Sequence, residues 1–71
     1  MSLTIIAISP KKERAYAKIG YDIWLISPYI KGNIKSSNED EMKEDICKNN
    51  YRKCEISFEY LNQALTYLEK R

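Results

Sequence analysis

The chain has 71 residues, enough for one small domain that buries only about 60% of the surface its unfolded form exposes. Hydrophobic residues make up 44% of it, too many for a disordered tail, and no apolar run approaches the roughly 20 residues of a membrane-spanning helix. Twelve basic and ten acidic side chains leave a net charge of +2, which by itself requires neither a nucleic acid nor an anionic membrane as partner. Since the N-terminus shows no readable signal peptide, we expect a single cytoplasmic domain over residues 1–71 without a membrane partner.

Residue types that common catalytic and metal sites require are scarce in this chain. It contains no histidine, so it has neither an imidazole base nor an imidazole ligand. Cys47 and Cys54 would lie about 10 Å apart along one helix, too far for a disulfide, and two thiolates alone do not complete a zinc site. Gly20 and Gly32 are its two glycines, too few for a loop that cradles phosphate. We therefore expect reduced core thiols, no cofactor and no enzymatic activity.

Two short apolar segments in the N-terminal half predict β-strands. Residues 4–8 are rich in β-branched side chains and are followed by a Ser-Pro pair, which is typical of a buried strand. Residues 21–27 predict a second strand, and Pro28 marks its end because proline cannot donate a ladder hydrogen bond. The Gly-Asn pair at residues 32–33 then predicts a tight turn.

The segment between these strands fits two incompatible interpretations. In the first, Ser9 caps a helix, Pro10 takes its first position and Gly20 follows its end, which predicts a helix over residues 10–19 and a small βαβ unit. In the second, apolar residues alternate over residues 14–26, which predicts one long strand and a hairpin. The end signals favour the helix, and the hairpin remains open as the alternative.

The next segment begins with a helix start signal. Asn38 followed by Glu41 three residues later resembles a capping box, in which side chains satisfy the first free amides of a helix. Met42 and Ile46 lie four residues apart and predict its buried side. A single helix from Asn38 to the end of the chain would be about 50 Å long, more than a compact domain of this size holds. We therefore expect a break at residues 49–50, two asparagines that favour turns.

The C-terminal segment also has two interpretations. Apolar residues at positions 51, 54, 58, 61, 65 and 68 alternate at spacings of three and four, which predicts a helical stripe. Alternation over residues 54–60 predicts a strand instead, but explains fewer positions. Together the segments predict an α+β fold, with a small two- or three-stranded sheet in the N-terminal half packed by one long or two shorter C-terminal amphipathic helices. The wide stripe also suggests a homodimer through the C-terminal helix.

Acidic and aromatic side chains in the C-terminal half predict a protein-binding surface. The acidic start of the helix can complement its macrodipole, or can compete for a basic groove on another macromolecule. Tyrosine rings with one solvated edge are favoured at interfaces. The predicted protein-binding residues are Glu41, Glu44, Asp45, Tyr60 and Tyr67. We expect a non-enzymatic protein-binding module acting as a regulatory subunit or inhibitor, and a composition rich in Lys, Ile, Asn and Tyr suggests a phage, a mobile element or a low-GC bacterium as its source.

A basic segment with interleaved aromatic residues predicts nucleic-acid binding as the alternative function. If the segment is a strand, its alternate side chains share one face with Trp24, where rings stack on bases and cations hold phosphates. If it is a helix, the same cations form an ordinary solvated face. The residues concerned are Lys11, Lys12, Arg14, Tyr16 and Lys18.

Overall fold

A computed structural model describes residues 2–70, which form a five-stranded antiparallel sheet with one helix on each face. The elements in chain order are β1 (Leu3–Ile8), β2 (Ala15–Ile19), β3 (Asp22–Ile26), β4 (Ile34–Ser37), α1 (Glu39–Asn49), β5 (Arg52–Phe58) and α2 (Leu61–Glu69). The strands lie in the order β4-β3-β2-β1-β5. The α+β class is confirmed, but the predicted two- or three-stranded sheet is wrong because two further segments form strands.

The first correction concerns residues 10–19, where the predicted helix is wrong. The Ser9 hydroxyl accepts hydrogen bonds from the backbone amides of Glu13 and Arg14, at 3.1 and 3.0 Å, and so closes a loop rather than capping a helix. Lys12 in that loop has a φ of 59°, which a right-handed helix does not allow. The following residues become β2, which pairs with β1 on one side and β3 on the other. Pairing on both sides outweighs the helix end signals.

The strand interpretation of this region is itself only partly right. The chain does not run straight on from β2 but reverses at residues 20–21, between the paired residues Ile19 and Asp22. Gly20 has a φ of +64° at the first central position of this two-residue turn, where a residue without Cβ is favoured. Tyr21 at the tip is 99% exposed. The reversal places Ile23 on the opposite sheet face from the one that the continuous alternation predicts.

The second correction concerns β5, for which a helix was predicted. The break itself is confirmed: Asn50 adopts the left-handed conformation, and its amide donates to the Ile46 carbonyl at the end of α1. After it the chain becomes extended and pairs along β1, from Ile8 opposite Arg52 to Leu3 opposite Phe58. The helical spacing failed because it joined side chains of a strand to those of a separate helix, and the basis for a homodimer through one long helical stripe is lost with it.

The predicted start of α1 is confirmed. The Asn38 side chain accepts a hydrogen bond from the Glu41 amide at 2.8 Å. Met42 and Ile46 pack against the sheet, as expected, although neither is fully buried. Cys47, predicted as a core thiol, is exposed because it lies off the side of α1 that faces the sheet, whereas Cys54 is half-buried. With eleven and nine residues, the helices within residues 2–70 are too short to cross a bilayer.

Each helix covers one face of the sheet, and we call these the α2 face and the α1 face. On the α2 face, Ala64 and Leu68 of the helix are buried in one cluster with side chains of β1, β2 and β3, and side chains of β5 pack against this cluster. On the α1 face, Met42 and Ile46 lie beside Tyr16 and other residues of a smaller cluster. The larger core therefore belongs to the α2 face, and α1 is the less deeply packed helix.

The strand order also gives the sheet two distinct ends. The loop end holds the β1–β2 loop at residues 9–14, the β3–β4 loop at residues 27–33 and the junction from α1 into β5. The hairpin end holds the turn at residues 20–21 and the starts of both helices. Because the pairing is antiparallel throughout, segments distant in sequence meet at each end.

Candidate functional site

The loop end is assembled by buried polar contacts between its two loops. The Ser27 hydroxyl, with the residue only 1% exposed, donates a 2.7 Å hydrogen bond to the Glu13 carbonyl. The same oxygen accepts the Tyr29 amide at 3.1 Å. Ser27 therefore ties the β3–β4 loop to the β1–β2 loop and holds the 56% exposed Tyr29 and the exposed Lys31 at this end.

Lys12, one of the cations of the loop end, stabilises the fold. The Lys12 ammonium donates to the Lys70 carbonyl at 3.1 Å, just beyond the last turn of α2, and lies 4.0 Å from the centre of the Tyr67 ring. A positive charge at a helix C-terminus complements the macrodipole, and the ring adds a cation–π contact. Tyr67 also packs against Phe58. Lys12 therefore anchors α2 to the loop end.

The other cations of the loop end come together from separate parts of the chain. Strand pairing sets Arg52 opposite Ile8 and Lys53 opposite Ala7, next to the β1–β2 loop. Lys48 lies in the last turn of α1, which ends at the same place. The exposed basic residues at this end are Lys11, Arg14, Lys31, Lys48, Arg52, Lys53 and Lys70. The acidic residues there are Glu13, Asp45 and Glu69, so positive charge predominates.

The residues that the sequence predicts to bind nucleic acid do not all lie at the loop end. Lys11 and Arg14 are exposed at the loop end and Lys12 is held against α2, whereas Lys18 lies toward the hairpin end, opposite Thr4 and Ile23. Tyr16 is only 4% exposed, and Trp24 lies on the other face of the sheet. Lys31, Lys48, Arg52 and Lys53 were missed, because only the strand order places them at the same end of the sheet as the β1–β2 loop.

Tyr16 belongs to a polar cluster under α1. Its hydroxyl donates to Asp45 at 2.6 Å, and the Asn49 amide donates to the other oxygen of that carboxylate. Partial burial opposes ionisation of Asp45, but these hydrogen bonds outweigh it and hold the pKa of its carboxyl below its usual value. Burial, with Asp45 adding to it, raises the pKa of Tyr16. Asp45 therefore fastens α1 to the sheet rather than presenting a free charge.

Tyr51 extends this cluster. Burial raises the pKa of Tyr51 to about 12, despite the opposing charge of nearby Arg14. Its ring centre lies 5.5 Å from that of Tyr16. The Tyr51 hydroxyl is buried near Asp45 and, within residues 2–70, has no hydrogen-bond partner of normal geometry. The two rings and the carboxylate fill the space between α1 and the sheet at the loop end.

The hairpin end is acidic and aromatic. Glu39, Asp40 and Glu41 form the first turn of α1 there, and Glu59 precedes the start of α2. Tyr60, at the cap of α2, is 58% exposed and joins Tyr21 at this end.

The predicted protein-binding residues also lie in different parts of the fold. Glu41 and Tyr60 share the hairpin end but lie on opposite faces of the sheet. Glu44 is exposed in the middle of α1. Asp45 and Tyr67 are occupied by the contacts described above. Glu41, Glu44 and Tyr60 are the exposed members of this set, and the Glu41 carboxylate also accepts a hydrogen bond from the Ser37 hydroxyl at 3.4 Å.

The cavities of the molecule are open hollows. One, of about 530 Å³, lies on the corner of the α1 face that α1 leaves uncovered, with Thr4, Ile6, Lys18 and Glu55 on its walls. A smaller hollow of about 290 Å³ lies at the loop end between Arg14, Asn49 and Tyr51. Within residues 2–70 no group of three or more acidic or thiol side chains is placed to hold a metal ion.

Comparisons of the chain with protein-family models, with curated proteins and with solved structures find no match.

Proposed function

We propose that the protein is a small non-catalytic module that binds nucleic acid through its loop end. The observation that carries the proposal is the convergence of exposed cations from four separate segments: the β1–β2 loop, the β3–β4 loop, the end of α1 and the start of β5. A clustered basic surface is the electrostatic footprint of a phosphate-binding protein, even when the net charge is small.

The geometry supports contact with the phosphate backbone more than stacking on bases. Tyr16, the ring at the centre of the sequence-based interpretation, is buried and hydrogen-bonded to Asp45. Tyr29 is the large apolar side chain most exposed at the loop end, and one ring offers at most a single stacking contact. Binding should therefore be weakly dependent on sequence and strongly dependent on salt, since releasing condensed counterions drives phosphate contacts.

Fluorescence anisotropy with labelled single-stranded and duplex DNA and RNA tests this proposal. We expect binding at low salt that weakens steeply as salt rises, with each cation that contacts a phosphate contributing about one unit to the slope of log K against log salt. The variant Lys11→Glu/Arg14→Glu should lose roughly tenfold or more in affinity and have a shallower slope. Lys18→Glu/Lys43→Glu makes the same change in net charge and is the matched control, since both residues are exposed and lie away from the loop end. Absence of binding to every probe at low salt would contradict the proposal.

A second candidate, supported by the hairpin end, is a protein-binding role as a regulatory subunit or inhibitor. Glu41 and Tyr60 are exposed at the same end of the sheet, and Glu44 continues the acidic surface along α1. The chemistry favours a basic surface on the partner, because complementary potentials steer encounter and suppress wrong partners. A cytoplasmic location and a phage or low-GC bacterial source remain predictions that accompany this role.

Affinity capture tests the second candidate. The wild type and Glu41→Lys/Glu44→Lys are compared as baits in lysate of the source organism, with Lys35→Glu on β4, which is also exposed, as a control. We expect a partner that the control retains and the double variant loses. The same set of captured proteins from all three baits would contradict an acidic recognition surface.

A further inference from the structure

Three large hydrophobic side chains are strongly exposed within residues 2–70, and one of them lies at the basic end of the sheet. Tyr21 and Tyr60 are at the acidic hairpin end. Tyr29 is at the loop end, in the β3–β4 loop, two residues before the exposed Lys31. Proteins that bind single-stranded nucleic acid combine these two features, because bases stack on an exposed ring while cations hold the phosphates.

Hydrogen bonds within the β3–β4 loop hold the backbone of Tyr29 in place. The Ser27 amide donates to the Asn33 carbonyl at 3.1 Å and closes the base of the loop. Inside the loop the Asn33 amide donates to the Ile30 carbonyl at 2.8 Å, and the Tyr29 amide donates to the buried Ser27 hydroxyl at 3.1 Å. The backbone that carries the ring is therefore ordered before a ligand binds, which lowers the entropic cost of a contact with the ring.

Ser27 also fixes the β3–β4 loop relative to the other cations. Its hydroxyl donates to the Glu13 carbonyl at 2.7 Å, in the β1–β2 loop that carries Lys11 and Arg14. In the sheet order, the β3–β4 loop, the β1–β2 loop and the start of β5 follow one another across the loop end. Because neighbouring strands lie about 4.8 Å apart, this row of cations is roughly 15–20 Å wide, with Tyr29 at one side of it.

A ring in this position distinguishes single strands from duplexes. In a duplex the faces of the bases are covered by neighbouring base pairs, so a side chain on the protein surface reaches phosphates and groove edges instead. In a single strand a base can turn its face toward the ring, and the contact tolerates any sequence because every base has a π-face. One exposed ring can therefore select the form of the nucleic acid without reading its sequence.

We propose that Tyr29 stacks on one unpaired base of the bound strand, and that this contact makes the loop end selective for single-stranded DNA or RNA over duplex. The inference rests on the proposed nucleic-acid function and adds to it the form of nucleic acid that is bound. The cations hold the phosphates of either form, and the ring supplies the discrimination between them.

A double-mutant cycle between the ring and the base tests the proposal. Anisotropy at one low salt concentration compares a labelled single strand of about ten nucleotides with an abasic strand of the same length, which keeps every phosphate and lacks the bases. The wild type should bind the strand with bases roughly tenfold more tightly, and Tyr29→Leu should lose that preference. Tyr29→Phe keeps the ring and should behave like wild type. Tyr21→Leu, which removes an exposed ring at the hairpin end, is the matched control.

Two further measurements separate stacking from a general change in the loop. Tyr29→Leu keeps every cation, so its affinity for duplex and its salt slope should equal those of wild type. A wild type that binds the two strands equally, a Tyr29→Leu variant that keeps the preference for bases, or one that loses as much affinity for duplex as for the single strand would overturn the stacking proposal. Failure of the wild type to bind any probe would instead contradict the nucleic-acid function itself, and the inference with it.

Discussion

The two ends of the sheet carry opposite charge, and part of that difference comes from the helices. Both helices begin at the hairpin end and finish at the loop end, so their dipoles are aligned with the positive ends at the hairpin end. Glu39 and Asp40 in the first turn of α1, and Lys48 in its last, complement this dipole. Helix stability alone explains these charges.

The remaining cations of the loop end do not have that explanation. Lys11, Arg14 and Lys31 lie on loops, and Arg52 begins an edge strand, with all four side chains exposed. None lies in a helix. Charge at the hairpin end therefore serves mainly the fold, whereas much of the charge at the loop end is available to a ligand.

Breaking the hydrogen bonds of Ser27 between the two loops of the loop end should cause the largest loss of stability. Ser27→Ala removes a buried hydroxyl that both donates to the Glu13 carbonyl and accepts the Tyr29 amide. Unsatisfied buried groups cost about 1–3 kcal/mol, and we expect a loss of that size in the free energy of unfolding by urea denaturation. Stability equal to that of wild type would show that the loops are held by other contacts.

Titration of the tyrosine cluster gives a second, pH-dependent effect at the same end. The pKa of Tyr51 is raised to about 12 in the folded chain, above its usual value near 10. Its contribution to stability is therefore complete below pH 10 and is lost as the pH rises from about 10 to 12. The midpoint temperature of thermal unfolding, measured from pH 8 to 12, should fall less steeply with pH for Tyr51→Phe than for wild type. Parallel curves would contradict the assignment.

The contribution of Asp45 to stability depends on pH in the opposite direction to that of Tyr51 and is lost at low pH. Its folded pKa is below its unfolded value, so its stabilisation is present above about pH 4 and is lost as the pH falls through the folded pKa. We expect Asp45→Asn to flatten the acid side of the stability curve. Glu44→Gln, one residue away and exposed, is the control for removing a carboxylate from α1.

The hairpin end should respond less to the loss of one polar contact. Asn38→Ala removes an exposed cap hydrogen bond to the Glu41 amide, and capping residues contribute about 1 kcal/mol. Chemical denaturation should show a loss of about that size, smaller than that of Ser27→Ala. A larger loss of stability for Asn38→Ala than for Ser27→Ala would contradict the expectation that the loop end depends more on a single polar contact.

The exposed ion pair of α1 should have the smallest effect. Glu39 and Lys43 are 3.4 Å apart with both side chains largely exposed, and such pairs contribute about 0.3–0.5 kcal/mol. We expect Lys43→Ala to change the midpoint of denaturation only slightly, with the effect disappearing in high salt. A salt-independent loss above 1 kcal/mol would contradict this account.

Local signals predicted those parts of the fold that depend on neighbours in sequence. The first strand, the Asn38 cap, the break at residues 49–50 and the buried side of α1 all followed from residue type and spacing. The predictions for β2 and β5 failed because each has spacing that fits both helix and strand. Pairing with β1, which is distant from β5 in sequence, decided the outcome.

The same limit applies to the candidate site. Lys11 and Arg14 were found because they are close in sequence, and Tyr16 was included for the same reason although it is buried. Lys31 and Arg52 were missed because only the strand order and the Ser27 contact between loops place them at the same end of the sheet as Lys11. Exposed charges carry no packing signal, so only the fold reveals their convergence.

The most direct test of that convergence is the affinity of Lys31→Glu/Arg52→Glu for labelled DNA and RNA at low salt. Both residues are far in sequence from the segment that first suggested nucleic-acid binding, and both lie at the loop end. The account predicts a loss comparable with that of Lys11→Glu/Arg14→Glu, while Lys18→Glu/Lys43→Glu binds like wild type. Binding by Lys31→Glu/Arg52→Glu that equals that of wild type would contradict the claim that the loop end is one binding surface.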